Sequence, residues 1–225
     1  GLFERNLLER FDAQAKANAQ VVNGLLKQKI LDLGNAVDLI VHERSFRDSV
    51  FYVDVTADSQ RLKDYLTASN IRLGVSVNEL LGKDGKTLGS TNETFVKSQS
   101  LEEIKIARQA VEGLEPAARI LRRGGKFFIF SARRFELDNM PSNAFVLNSW
   151  KFLDDEWAIY LSSLIRMDVL LLADRQVSAS SLDKARRNAW VDISEETNKD
   201  HFIEYWVGGQ KHRMYLRPLS MLGHE

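Results

Sequence analysis

Two neighbouring apolar runs, 127–134 and 144–152, carry the side chains of this chain best suited to hold a small molecule. In strand geometry Phe127, Ile129, Ser131 and Arg133 share one face, and Phe128, Phe130, Ala132 and Arg134 share the other. Asn148 and Trp150 share a face of the second run, and Arg119 lies one strand further out. A guanidinium fork with a few hydrogen-bonding groups beside aromatic walls suits a small carboxylic acid. The expected ligand-binding set is therefore Arg119, Ser131, Arg133, Asn148 and Trp150. Phe128, Phe130 and Ala132 read as core. Taken singly, each polar residue is also explained by a sheet that has one wet and one dry face.

Catalytic signatures are missing around this set. Gly85-Lys86-Thr87 resembles the end of a phosphate-binding loop, but Leu80 stands where that loop needs glycine, and the segment lies between two strands. His42, His201, His212 and His224 lack metal-ligand spacing, and there is no cysteine to complete a zinc site. Ser178, Ser180 and Ser181 are not on the glycine-flanked elbow of a hydrolase nucleophile. The expectation is a binding protein without catalytic, metal or cofactor chemistry.

Thirty-one basic residues balance thirty-one acidic ones, so the basic footprint that draws proteins to nucleic acid is lacking, and nucleic acid is not an expected partner. Hydrophobic residues make up 44% and charged residues 28%, the balance of a chain that folds around a core. No run approaches the roughly 20 apolar residues of a spanning helix. The chain lacks an initiator Met and a signal peptide and opens as if in mid-helix, which reads as a piece of a longer protein.

The elements that would position these residues begin with a helix from Leu7 to about Val41, whose Val22, Leu26, Ile30, Leu33, Val37 and Ile40 recur at helical spacing. Its stripe serves either its own core or a partner helix. A shorter helix follows around Leu62, Tyr65 and Leu66. Two apolar runs flank Lys83-Asp84-Gly85-Lys86, a hairpin signal, and Ser100 with Glu103 forms a capping-box pattern before the helix of Ile104, Ala107, Val111 and Leu114, which ends at Glu115-Pro116. Ala118 to Phe135 divides at Gly124-Gly125 into two strands, and a turn-rich stretch, 138–143, precedes the strand Ala144 to Phe152. Asp154 and Asp155 then cap a helix with Trp157, Tyr160, Leu161, Leu164 and Ile165 on one apolar face.

After that helix the pattern returns. Asp168 to Leu172 and Val177 to Ser181 flank Asp174-Arg175-Gln176, and His201 to Val207 and Gln210 to Leu219 flank Gly208-Gly209. This order predicts a duplicated unit. The second copy stops at Gly223-His224-Glu225 without its last strand, because it is trimmed or because the piece ends there.

The order strand, strand, helix and three antiparallel strands is that of PAS-like sheets. With the long preceding helix and a smaller second lobe, the chain resembles extracytoplasmic sensor domains of the Cache and CHASE type. The resemblance rests on Leu80 to Ser90 (LLGKDGKTLGS), Ala144 to Trp157 (AFVLNSWKFLDDEW) and Tyr215 to Leu219 (YLRPL), which fall within residues 75–222. It implies an α+β fold: a helical region over 1–69, a membrane-distal PAS-like lobe over 70–153, and a helix with a smaller membrane-proximal lobe over 154–225. It further implies the periplasmic part of an inner-membrane receptor, coupled to a kinase, cyclase or chemotaxis output. Such a receptor would bind a small molecule in its distal lobe and form a homodimer through the N-terminal helix. A protein-interaction lobe with no small-molecule pocket is the alternative. The amine-recognition pattern of some double Cache domains has no counterpart here.

Overall fold

Leu2–His42 forms one unbroken helix, α1, of 41 residues, about 60 Å long at the usual rise. It belongs to a computed structural model that describes residues 2–112, 118–138, 140–173, 176–183, 186–187, 199–207 and 209–219. The expected end of one helix at Glu115-Pro116, the Asp174-Arg175 turn, Gly208 and the truncated end at 223–225 lie outside them. On α1 the expected stripe is the buried one: Leu26, Leu33, Val37 and Ile40 are buried, and Val22 and Ile30 are half-buried.

A second helix, α2 (Arg44–Thr56), follows after a single extended residue, Glu43. Neither glycine nor proline marks this break; α1 ends one residue beyond the expected Val41, and α2 itself is not expected from the sequence. The Glu43 carboxylate accepts from Tyr65 Oη at 2.5 Å and from Arg72 at 2.5 Å, so the corner is fixed from the next helix, α3 (Gln60–Leu73). These bonds, led by that from Tyr65, hold the Glu43 carboxyl below the ordinary carboxylate range.

The chain divides into two compact units. One comprises 29–123 and 128–152. Its sheet has the spatial order β2-β1-β5-β4-β3, with β1 (Val77–Leu81), β2 (Thr87–Ser90), β3 (Arg119–Arg123), β4 (Lys126–Leu137) and β5 (Met140–Leu153). Between β2 and β3 come a four-residue helix, α4 (Glu93–Val96), not expected from the sequence, and α5 (Leu101–Val111). The β3–β4 turn is the expected one, with Gly124 and Gly125 both at positive φ (57° and 71°), the conformation a two-residue hairpin needs. At the next turn the expectation is corrected. Residues 140–143 already belong to β5, where a proline near a strand start is tolerated.

Each face of this sheet has its own core. Phe46 of α2 meets Tyr65 and Phe135 at 5.6 and 5.4 Å, and Phe135 stacks on Phe145, all on the face toward the first three helices. On the opposite face Val96, Ile106, Ala107 and Ala110 of α4 and α5 cover Val77, Phe128, Phe130, Ala132, Val146 and Trp150. Gly89 of β2 packs closely on α3: a Cβ there would lie 2.9 Å from Cδ2 of the buried Leu62, so that side chain would have to shift.

The other unit comprises 1–28, 124–127 and 153–225. Asp154 accepts from Trp157 N and starts helix α6 (Asp155–Ile165), as its sequence predicts. The apolar face of α6 is narrower than expected: Trp157, Ala158 and Leu161 are buried, whereas Tyr160 and Leu164 are exposed. Two hairpins follow, β6–β7 (Leu170–Ala173 and Gln176–Ser180) and β8–β9 (His201–Val207 and Gln210–Leu216). Among the described residues they are two separate sheets around Leu182 and Val207. The first half of α1 is tied to this unit by a bidentate Asp12–Arg213 pair at 2.7 and 2.6 Å and by Asn18 Nδ2, which donates to Ile165 O. The class is α+β: a long N-terminal helix with antiparallel sheets.

Candidate functional site

Strand alternation on β4 is as the sequence predicts, but the five expected site residues do not converge. Ser131 and Arg133 face the N-terminal helices, where Arg133 Nε lies 2.9 Å from Asp38 of α1. Arg133 also lines a groove of about 860 Å³ with Val41, Arg47, Phe51 and Phe135, and in it the guanidinium of Arg47 is held by Asp138 and by Glu136 O. Asn148 and Trp150 lie together, fully buried, on the opposite face beneath α5. Arg119 is exposed on the edge strand β3. The structure thus joins Asn148 with Trp150 and leaves Ser131, Arg133 and Arg119 elsewhere.

What surrounds Asn148 and Trp150 is a layer of buried polar groups. Pairing of β1 with β5 sets Glu79 opposite Asn148 and Val77 opposite Trp150. The buried carboxylate of Glu79 accepts from Gln99 Nε2 (2.5 Å), Thr87 Oγ1 (2.7 Å) and Asn148 Nδ2 (3.1 Å). Gln99 belongs to the link between α4 and α5, so this carboxylate anchors that link to the sheet.

A second buried carboxylate anchors α5 itself. Ser100 caps the helix and Glu103 closes the capping box, its Oε2 accepting from Ser100 N at 2.8 Å. Glu103 is fully buried, and its Oε1 accepts from Trp150 Nε1 at 2.7 Å. Arg123 reaches the same oxygen from β3: Nη2 lies 3.4 Å away, within ion-pair range but without hydrogen-bond geometry. Its Nη1 donates to Phe95 O and Ser98 Oγ, and the guanidinium lies 3.9 Å over the Phe95 ring. Burial lowers the pKa of Arg123, and Glu103 opposes the shift.

Asn92 caps α4 by accepting from Phe95 N, which sets Phe95 edge-on to Trp150, Phe128 and Phe152. The α4–α5 segment is thus a cover with an aromatic underside, latched at Gln99, Ser98, Phe95 O and Glu103. An ionised carboxylate is buried at a cost of several kcal/mol unless donors and counter-charge receive it, so the latch is strong only while all its members are in place. Two latch atoms stay unsatisfied: Arg123 Nη2 and Asn148 Oδ1 are buried without a hydrogen-bond partner among the described residues.

Sequence reasoning missed Glu79, Gln99 and Arg123 and read Glu103 only as a cap. Alternation was the available signal for two of them: Arg123 shares a β3 face with the buried Leu121, and Glu79 a β1 face with Val77.

No family model matches the sequence, and a comparison with curated proteins finds no match. Solved structures do match in fold. The crystal structure of the periplasmic domain of Vibrio cholerae LuxQ superposes with a TM-score of 0.58 at 14% identity, over 89% of this chain and 97% of that one. A selenomethionine form of the same domain gives 0.57 at 14% identity, over 89% and 96%. This chain has the fold of that domain. The expected α+β architecture, with its long first helix, is the one observed.

Proposed function

We propose that this chain is the extracytoplasmic sensing domain of a bacterial signal-transduction receptor, binding a small molecule on the α5 side of its first sheet. The carrying observation is the fold likeness to a periplasmic domain, which takes in nearly all of both chains. In the full-length protein the helices would lead to membrane anchors and onward to a kinase, cyclase or chemotaxis output, with a second copy aligned along α1. Sensing requires the ligand to bind two arrangements of the protein with different affinity. The latched α4–α5 cover supplies a candidate for the element that has two. No catalytic constellation is part of the reading.

One observation favours a second reading, a lobe that senses by binding another protein. Phe51, Tyr52 and Val55 are exposed together on α2, beside the groove that Phe51 helps to line.

Location is tested in the parent protein with reporters fused at Leu219. Alkaline phosphatase, active only after export, should be active there. A reporter that works only in the cytoplasm should be silent. The reverse pattern would remove the receptor reading altogether.

A further inference from the structure

Three donors of different origin converge on the Glu103 carboxylate: the Trp150 indole N–H at 2.7 Å, the Ser100 backbone N–H at 2.8 Å and the Arg123 guanidinium at 3.4 Å. This is the donor set of a carboxylate receptor, and the acid in it comes from the chain itself. We infer that the seat is a binding site for a small monocarboxylic acid, held closed in this structure by Glu103 as a tethered occupant. The inference rests on the sensing reading and names the ligand class of the same site.

The fit of the occupant argues for exchange. Glu103 spends one oxygen on Trp150 and the other on its own helix cap, and the capping box fixes its backbone. From there it comes within 3.4 Å of Arg123 Nη2 but makes no hydrogen bond, leaving a buried donor without a partner among the described residues. A free carboxylate, without that tether, can turn both oxygens toward Arg123 and Trp150 and fill it. Its apolar part would meet Phe95, Phe128 and Phe130, which already pack around Trp150 and Arg123.

The identity of the occupant ties binding to movement. Glu103 sits in the first turn of α5, so an acid that takes its seat also removes the side-chain half of the capping box and the bond that pins α5 to β5. Gln99, Ser98 and Phe95 O still hold the neighbouring link, so the motion begins at residues 100–103. A tethered competitor acts at an effective concentration on the order of millimolar, so the wild-type domain should respond to a bare acid only weakly. Removing the tether should sharpen the response.

The test uses Glu103→Ala in the complete chain, read by the indole N–H signals of its four tryptophans, with Trp150→Phe to assign the one in the seat. Sodium acetate is added to about 50 mM, above the effective concentration of the tether, against sodium chloride at equal ionic strength. The Trp150 signal should move saturably with acetate and not with chloride. In the wild type the same movement should need about tenfold more acetate. If Glu103→Ala does not fold, Glu103→Gln keeps the side chain's shape without its charge, and acetate should displace it in the same saturable way. A Trp150 signal that ignores acetate, or follows chloride equally, overturns the inference while leaving the reporter result untouched. An acetate response together with a cytoplasmic reporter would keep the seat and remove the sensing reading.

Discussion

Trp150 uses its one polar hydrogen inside the core, on a carboxylate 47 positions away. Trp150→Phe keeps most of the ring and removes that donor, so the buried Glu103 loses its shortest bond. A charge-assisted bond of this kind contributes about 1–3 kcal/mol. Urea unfolding should show a loss of this size, and a loss below about 0.5 kcal/mol would mean that the bond is not formed in solution. The same residues show what was legible at this scale. Alternation along β4 correctly separated Ser131 and Arg133 from Phe128 and Phe130, because side-chain direction within a strand is set by the backbone alone. Which face of β5 matches which face of β4 depends on the length of the connecting turn. The expected start of β5 at Ala144 is too late, and the expected grouping of Asn148 and Trp150 with Arg133 fails because they lie across the sheet from it. Glu103 was legible as a cap, three residues from its partner, and illegible as a latch, because Trp150 and Arg123 reach it only through the fold.

At the scale of elements, signals written in local chemistry were the ones that could be read. The Ser100 box, the Asp154 cap and the Gly124-Gly125 turn each need only neighbours, and all three are in the structure. The end of α1 was legible to within a residue, but the contacts that fix the corner come from Tyr65 and Arg72 of another helix, and α2 and the single-turn α4 did not show. The Glu43 corner carries a pH dependence with a definite sign. Its carboxyl is lowered in the folded state, first by the Tyr65 hydrogen bond, with Arg72 adding to it. The contribution is therefore complete above the unfolded glutamate value and is lost as pH falls through the lowered folded value. Thermal unfolding of wild type and Glu43→Gln should differ most near neutral pH, and the gap should close as pH falls below the ordinary glutamate range. A gap that stays constant, or widens, as acid is added would contradict the assignment of this corner to an ionised Glu43.

For the whole molecule, the repeated hairpins in the sequence predict two lobes with PAS-like strand order. The first lobe has that order in full, and the described part of the second consists of two hairpins around a small core. The likeness to a periplasmic domain holds at only 14% identity, so the two chains share the architecture with few residue identities. If the first lobe senses a small acid on the α5 side of its sheet, an acid that binds only the folded protein must raise its melting temperature in proportion to saturation. Thermal unfolding of the Glu103→Ala domain, from which the tethered occupant is gone, measures this across a panel of small monocarboxylic acids. At least one acid should give a saturable rise, lost in Arg123→Ala and kept in Arg133→Ala, whose pair with Asp38 is partly exposed and on the other face. No rise with any acid, or a rise lost in Arg133→Ala and kept in Arg123→Ala, would contradict acid sensing at this seat.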